Sequence, residues 1–258
     1  MNTINFDFRR EILERKTRIG TFLNTGSPIA VELAAQSGLD WILIDLEHGM
    51  GDWDRLPSLL MAATGRGAVP VVRIPQLRQE LFKRAFDMGA LGVMVPYIET
   101  AEQAADAVRF SRYPPRGVRG VAKFNRAAKF GACFEEWLAR SHEATLVIAQ
   151  IETATGLKNV DAIAAVEGID VLFVGPLDLS VSLGIPQQYN HPDFLAAKAR
   201  VVDAATKAGK AAGILGLDPE QTSNLAAEGF NFLAVGSDGG YLSQAFAKLV
   251  ERGRKVRG

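Results

Sequence analysis

One phrase recurs along this chain: an alanine-rich helix end, a glycine, then a short apolar strand. It stands at residues 85–95, 166–174 and 226–235. In each copy the glycine supplies the left-handed cap that lets a helix stop and a strand begin. The same rhythm continues around these copies. Short apolar runs rich in β-branched residues fall at residues 18–23, 41–45, 69–73, 92–95, 146–151, 171–175, 211–215 and 232–236. Nearly all are separated by helix-length segments, and runs of this kind read as strands of a parallel sheet buried on both faces.

Eight strand–helix units in 258 residues predict an α/β fold, a (β/α)8 barrel. A doubly wound open sheet fits less well, because no glycine-rich dinucleotide fingerprint follows any strand. Ser27 followed by Pro28 is an N-cap with proline at the first helical position, and further helices are predicted near residues 54–63 and 79–88. A polar lead-in over residues 8–16 reads as a helix ahead of the barrel, and residues 118–121 read as loop. No linker or low-complexity stretch divides the chain. The expectation is one domain over residues 1–258 with a short N-terminal lead-in.

Hydrophobic residues make up 48% of the chain and charged residues 22%, enough for a sizeable core. Lys+Arg and Asp+Glu both number 29, so nothing in the charge balance suggests a nucleic-acid or membrane partner. The first ten residues lack the apolar core of a signal peptide, and no apolar run reaches the roughly 18 residues that span a bilayer. The single Cys133 cannot form an intrachain disulfide and fits a reducing compartment. A soluble, cytoplasmic protein is expected. Arg252, Arg254, Lys255 and Arg257 read as a solvated helix end.

In such a barrel the chemistry sits at the C-terminal ends of the strands. Asp45, Glu47 and His48 follow the second strand, and Arg73 ends the third. Gln150 and Glu152 come at the fifth, Asp178 after the sixth, and Ser237 with Asp238 after the eighth. Glu152 and Asp178 stand on neighbouring strands, where two carboxylates repel unless a cation is present. They suit a hard divalent ion such as Mg2+ or Mn2+, with water and substrate oxygens completing the shell. The competing reading is that each merely caps the helix after it.

His48 titrates in the range needed for acid–base work near neutral pH, although a lone loop histidine is often only solvated. Arg73 ends an apolar strand, and its permanent charge requires an anion, expected here to be a substrate oxyanion. The turn Gly236-Ser237-Asp238-Gly239-Gly240 resembles the strand-eight anion sites of barrels that bind phosphate. His142 and His191 read as surface residues. Three histidines and one cysteine without close spacing argue against structural zinc. None of the eight strands carries a lysine for a Schiff base, so metal catalysis is favoured over covalent lysine catalysis.

Five stretches occur in a telling order: Trp41-Ile42-Leu43-Ile44-Asp45-Leu46-Glu47-His48; Val71-Val72-Arg73; Arg112-Tyr113-Pro114-Pro115-Arg116-Gly117-Val118-Arg119-Gly120; Gln150-Ile151-Glu152-Thr153; and Gly175-Pro176-Leu177-Asp178-Leu179-Ser180. Together they resemble the HpcH/HpaI family of class II pyruvate aldolases, over about residues 19–249. That family includes 4-hydroxy-2-oxoheptane-1,7-dioate aldolase and 2-dehydro-3-deoxyglucarate aldolase.

The resemblance implies a barrel of the phosphoenolpyruvate/pyruvate-binding superfamily, assembled as a homohexamer. It implies Glu152 and Asp178 as ligands of Mg2+, Mn2+ or Co2+, and Gln150, Leu177 and Asp178 as binders of pyruvate. Arg73 takes the place of the residue that stabilises the enolate oxygen, His48 that of the base, and Asp87 that of the carboxylate raising the basicity of the histidine. A plain barrel plan instead puts Asp87 at a helix end before Gly89, away from the mouth, and leaves Asp45 equally able to orient His48.

Two departures stand out: Leu46 between Asp45 and Glu47, and the stretch Ala122-Lys123-Phe124-Asn125, where many relatives have smaller residues. The expected partners are a 2-oxo acid and an aldehyde, and the expected reaction is cleavage of a 4-hydroxy-2-oxo acid to pyruvate and that aldehyde. The alternatives are a related metal–enolate enzyme, either a decarboxylase or a citrate-lyase-like lyase, and a non-catalytic barrel that binds oxo acids.

Overall fold

The computed structural model describes residues 5–257. Eight parallel strands close into a barrel in chain order: β1 (Arg18–Leu23), β2 (Trp41–Asp45), β3 (Val69–Arg73), β4 (Gly92–Val95), β5 (Leu146–Ile151), β6 (Val171–Val174), β7 (Ala211–Gly216) and β8 (Phe232–Ser237). Before β1 comes α1 (Asp7–Leu13). Around the barrel run α2 (Pro28–Gln36), α3 (Leu56–Ala63), α4 (Gln79–Asp87), α5 (Ala101–Ser111) and α6 (Phe134–Ala144). They are followed by α7 (Ala154–Lys158), α8 (Val160–Ala164), α9 (Pro176–Ser182), α10 (Pro192–Lys207), α11 (Thr222–Ala227) and α12 (Asp238–Arg257).

The strand bounds follow the sequence reading to within one residue. β6 stops at Val174 because Gly175 turns out of the sheet to become the N-cap of α9. The repeated glycines do what their placement demanded: Gly89, Gly168 and Gly229 have φ of 103°, 94° and 101°, where a side chain would be strained. Ser27 caps α2, its hydroxyl accepting from the Ala30 amide at 3.3 Å.

Each strand is buried on both sides. Outward residues such as Ile42, Val72, Val93 and Leu172 pack against the helices. Inward residues such as Phe22, Trp41, Leu43, Val71, Ile148, Phe173 and Phe232 fill the barrel. Trp41 stacks on Phe232 with ring centroids 4.0 Å apart, and a Cβ at Gly20 would fall 2.3 Å from the Trp41 ring. Truncating a phenylalanine such as Phe173 would cost about 3–5 kcal/mol in lost burial and cavity.

Residues two apart on a strand share a face. Trp41 and Leu43 point inward on β2, and Asp45 continues the series. Val69 and Val71 do so on β3, with Arg73 next. Leu146 and Ile148 do so on β5, with Gln150 next. The polar floor of the mouth is therefore the top layer of the same register that builds the core.

α12 packs its start against β8 and β1 and then stands clear. Leu242, Phe246, Leu249 and Val250 fall on one of its faces at helical spacing, all exposed. Arg252 and Arg254 are exposed, as a solvated helix end requires, whereas the side chains of Lys255 and Arg257 lie outside the described residues. Among the described residues no helix is long and apolar enough to cross a membrane.

Candidate active site

The loop after β2 is wound around one carboxylate. Asp45 is buried and pairs in register with Arg73 across β2 and β3. Arg73 Nε donates to Asp45 Oδ1 at 2.9 Å and Nη2 to Oδ2 at 2.8 Å, a two-point grip. The amides of Glu47 and His48 donate to the same Oδ1 at 3.0 and 3.3 Å. The remaining Arg73 nitrogen, Nη1, lies 3.2 Å from Glu47 Oε2, and the guanidinium sits 5.1 Å from the centre of the Phe22 ring. The chain itself thus supplies two carboxylates to Arg73, and these contacts leave the second hydrogens of Nη1 and Nη2 unused.

Burial by itself would push the Asp45 carboxyl up, but the Arg73 hydrogen bonds and charge outweigh it and hold Asp45 below the ordinary range. Glu47 goes the other way: burial raises it more than Arg73 lowers it. His48 stands at the rim with its side chain 63% exposed, its Nε2 3.8 Å from Glu47 Oε2. Glu47 therefore bridges arginine and histidine, a place its mere presence in the loop did not reveal.

The second half of the site comes from β4, β5 and β6. Glu152 is buried, its Oε1 accepting from the Tyr97 amide at 2.8 Å and its Oε2 from Gln150 Nε2 at 2.5 Å. A Cβ at Gly175 would lie 2.6 Å from Glu152 Oε2 and 2.8 Å from Gln150 Nε2, so the glycine leaves the space that this pair of polar ends fills. Burial pushes the Glu152 carboxyl up to about 7; the Tyr97 amide opposes this, and the charges of Asp178 and Glu47 add to it. Asp178, in the first turn of α9, has no hydrogen bond or ion pair within the described chain. Leu177 beside it is half exposed.

Neither carboxylate is a helix cap. Thr153 caps α7, its hydroxyl accepting from the Gly156 amide at 3.0 Å, and Gly175 holds the capping place of α9. Asp45, Glu47 and Glu152 act on the guanidinium of Arg73, and Asp178 lies in the field of Glu47 and Glu152, so the mouth carries an excess of negative charge. Gln150 Oε1 is buried without a partner, an additional oxygen turned to no protein donor. An all-oxygen set of this kind fits a hard divalent cation. Among the described residues no group of three or more His, Cys, Asp or Glu is placed to hold a metal. A cation at Glu152 and Asp178 would therefore complete its shell with water and substrate oxygens.

Within one chain, neither carboxylate expected beside His48 reaches its imidazole. Asp87 ends α4, where Arg119 Nη2 donates to its Oδ1 at 2.6 Å; it leads through Gly89 to the start of β4, at the end of the barrel away from the mouth. Within the chain it does not meet His48. Asp45 meets only the His48 backbone, so neither carboxylate touches the imidazole.

The turn at residues 236–240 is not an open anion cradle. Asp238 Oδ1 accepts from the amides of Asn24 and Gly239, both at 2.8 Å, its Oδ2 from Thr25 Oγ1 at 2.5 Å, and Ser237 Oγ from the Gly240 amide at 3.2 Å. His191 caps α10, its Nδ1 accepting from the Asp193 amide at 3.2 Å.

Tyr97 was absent from any reading of charged strand ends. It follows Pro96 after β4, has φ 53°, and its phenol lies in the field of Asp178, Glu152 and Glu47.

Comparison with known proteins agrees with this geometry. The family model described as HpcH/HpaI aldolase/citrate lyase matches residues 18–245. The chain is 41% identical over 239 residues to the 2-keto-3-deoxy-L-rhamnonate aldolase of Klebsiella pneumoniae subsp. pneumoniae, covering 92% of this chain and 89% of that one. It is 38% identical over 248 residues to the 5-keto-4-deoxy-D-glucarate aldolase of the same organism, covering 96% of each. The crystal structure of an HpcH/HpaI aldolase/citrate lyase family protein from Burkholderia cenocepacia J2315 superposes with a TM-score of 0.92 at 37% identity, covering 97% of this chain and all of that one. A barrel of this topology, with these carboxylates at its mouth and this match along nearly its whole length, belongs to the HpcH/HpaI aldolase/citrate lyase family, and the protein is a carbon–carbon lyase.

Proposed function

We propose that this enzyme is a divalent-metal-dependent class II aldolase that cleaves a 4-hydroxy-2-oxo sugar acid to pyruvate and an aldehyde, and runs the condensation in reverse. The observation that carries the reading is the pair Glu152 and Asp178, one buried and pushed up to about 7, the other without a protein partner, beside a guanidinium already locked in place. The keto-deoxy sugar acids in the names of the two relatives support the substrate class.

Glu152 and Asp178 would hold the cation, which we take to be Mg2+, Mn2+ or Co2+. When bound, it supplies Lewis acidity to the keto oxygen of the substrate. Gln150 and the Leu177–Asp178 segment hold the 2-oxo acid portion. Arg73 donates to the oxygen on which charge grows as the C3–C4 bond breaks and its electron pair passes into the enolate. Asp45 keeps that donor aimed, so little reorganisation accompanies the step. His48 takes the proton of the 4-hydroxyl, C4 leaves as the aldehyde carbonyl, and a proton returned to C3 completes pyruvate.

The test is incubation with pyruvate and Mg2+ or Mn2+ in D2O, followed by NMR. Exchange at C3 that stops on chelation is expected. No exchange would leave the non-catalytic oxo-acid binder, and turnover of oxo acids without exchange would favour a decarboxylase.

The apolar stripe on α12 supports assembly of copies of this chain, taken to be a homohexamer; light scattering should give close to six times 27.9 kDa. The free Cys133 supports placement in the cytoplasm.

A further inference from the structure

We infer that Tyr97 is a specificity-determining residue, whose phenol recognises a hydroxyl on the aldehyde half of the substrate. The inference rests on the aldolase reading and names what that reading leaves open. The oxo-acid half has its binders on the barrel floor: Arg73 from β3, Gln150 from β5 and Asp178 after β6. The aldehyde half must then extend outward, toward the rim. Tyr97 emerges there, from the end of β4 between Arg73 and Glu152.

Its placement is fixed from below. The Tyr97 amide donates to Glu152 Oε1 at 2.8 Å, which ties the residue to the site. At Tyr97 the backbone has φ 53°, a region that favours glycine, yet a large aromatic side chain occupies it. A bare amide donor would be served as well by glycine, so the side chain itself is the part that needs a use. The ring is half exposed, in the field of Asp178, Glu152 and Glu47, and its hydroxyl makes no hydrogen bond within the described chain. A phenol is both donor and acceptor, which matches a hydroxyl-bearing aldehyde better than a hydrocarbon one.

The experiment is the condensation of pyruvate with glycolaldehyde and with acetaldehyde, which differ in one hydroxyl, by the wild-type enzyme and by Tyr97→Phe. The ratio of kcat/KM for the two aldehydes is expected to fall about five- to tenfold in the variant, the scale of one lost hydrogen bond at an open site. A ratio unchanged within about twofold overturns the inference. So does an equal loss on both aldehydes, which a purely structural tyrosine would produce. Tyr97→Ala, which keeps the amide and vacates the ring, should lower the ratio at least as far. Failure of the underlying aldolase reading is seen separately, as absent C3 exchange of pyruvate in the wild-type enzyme before any variant is made.

Discussion

Arg73 and Asp45 face each other in register across β2 and β3 and are joined at two points, Nε to Oδ1 and Nη2 to Oδ2. Such a fork fixes both the distance and the plane of the guanidinium. Arg73→Lys keeps the charge but loses the fork. It should lower kcat on the order of a hundredfold with a smaller change in KM, because the interaction lost belongs to the developing oxyanion. Steady-state kinetics of pyruvate release checks this; a loss confined to KM would place Arg73 in ground-state binding alone.

The same pair predicts an acid limb of stability. Asp45 is held below its ordinary value near 3.8, so the unfolded chain binds its proton more readily than the folded one. Its contribution is fully present above that value and is lost as pH falls through the lower, folded one. Urea melts between roughly pH 5 and pH 3 should show wild type losing more stability than Asp45→Asn, although the variant starts lower.

Glu152 has the opposite sign. Its carboxyl is raised from 4.5 to about 7, so between those values the folded, metal-free protein binds the proton more tightly than the unfolded chain. With chelator present, the melting temperature should rise as pH is lowered from about 8 to about 6. A cation needs the carboxylate, so its affinity should weaken over the same interval. Glu152→Gln should abolish both dependences together. Scanning fluorimetry with and without Mn2+ measures them in one series.

Gly175 leaves the space that the polar ends of Glu152 and Gln150 fill. Gly175→Ala would put a methyl 2.6 Å from Glu152 Oε2 and 2.9 Å from its Cβ, so the buried carboxylate would have to leave its present place. The expected result is a folded protein with metal affinity down on the order of tenfold, the scale seen when a ligand loses its support. Calorimetric titration with Mn2+ gives the number.

Asp87→Asn tests the far end of the barrel. Arg119 is fully buried between the rings of Phe86 and Tyr113, and its Nε and Nη1 have no partner. Removing its one carboxylate leaves a buried charge unpaired, at a cost of about 3 kcal/mol. A clear drop in thermal stability is expected, and an unchanged melting temperature would show that Asp87 serves something other than Arg119.

The strands were legible because each is mostly apolar and several begin after a glycine that can hold the left-handed cap. The floor of the mouth was legible for the same reason: Asp45, Arg73 and Gln150 are the first polar residues to interrupt an inward-facing series. Relations between strands were less so. That Arg73 spends its charge on Asp45 follows from register, which no single strand declares. Tyr97 was invisible for a different cause, since what ties it to the site is a backbone amide and a torsion angle, and neither appears in a survey of charged side chains. The turn at Asp238 misled because glycine-flanked amides look the same in sequence whether a ligand or a neighbouring carboxylate fills them.

That clasp bears on how the chain reaches its shape. Asp238 binds the Asn24 and Thr25 amides and the Thr25 hydroxyl, residues more than two hundred positions away, at the seam where β8 meets β1. Until the last strand is made, β1 carries an open edge, able to pair with any stray strand. Closing the ring must offset the entropy of a very long loop, and Asp238 adds a side-chain clasp to the backbone pairing of β8 with β1 and to the Thr21 hydroxyl that donates to Val235. Asp238→Ala should accordingly leave the finished enzyme's chemistry alone while favouring aggregation during refolding, a defect of assembly rather than of catalysis.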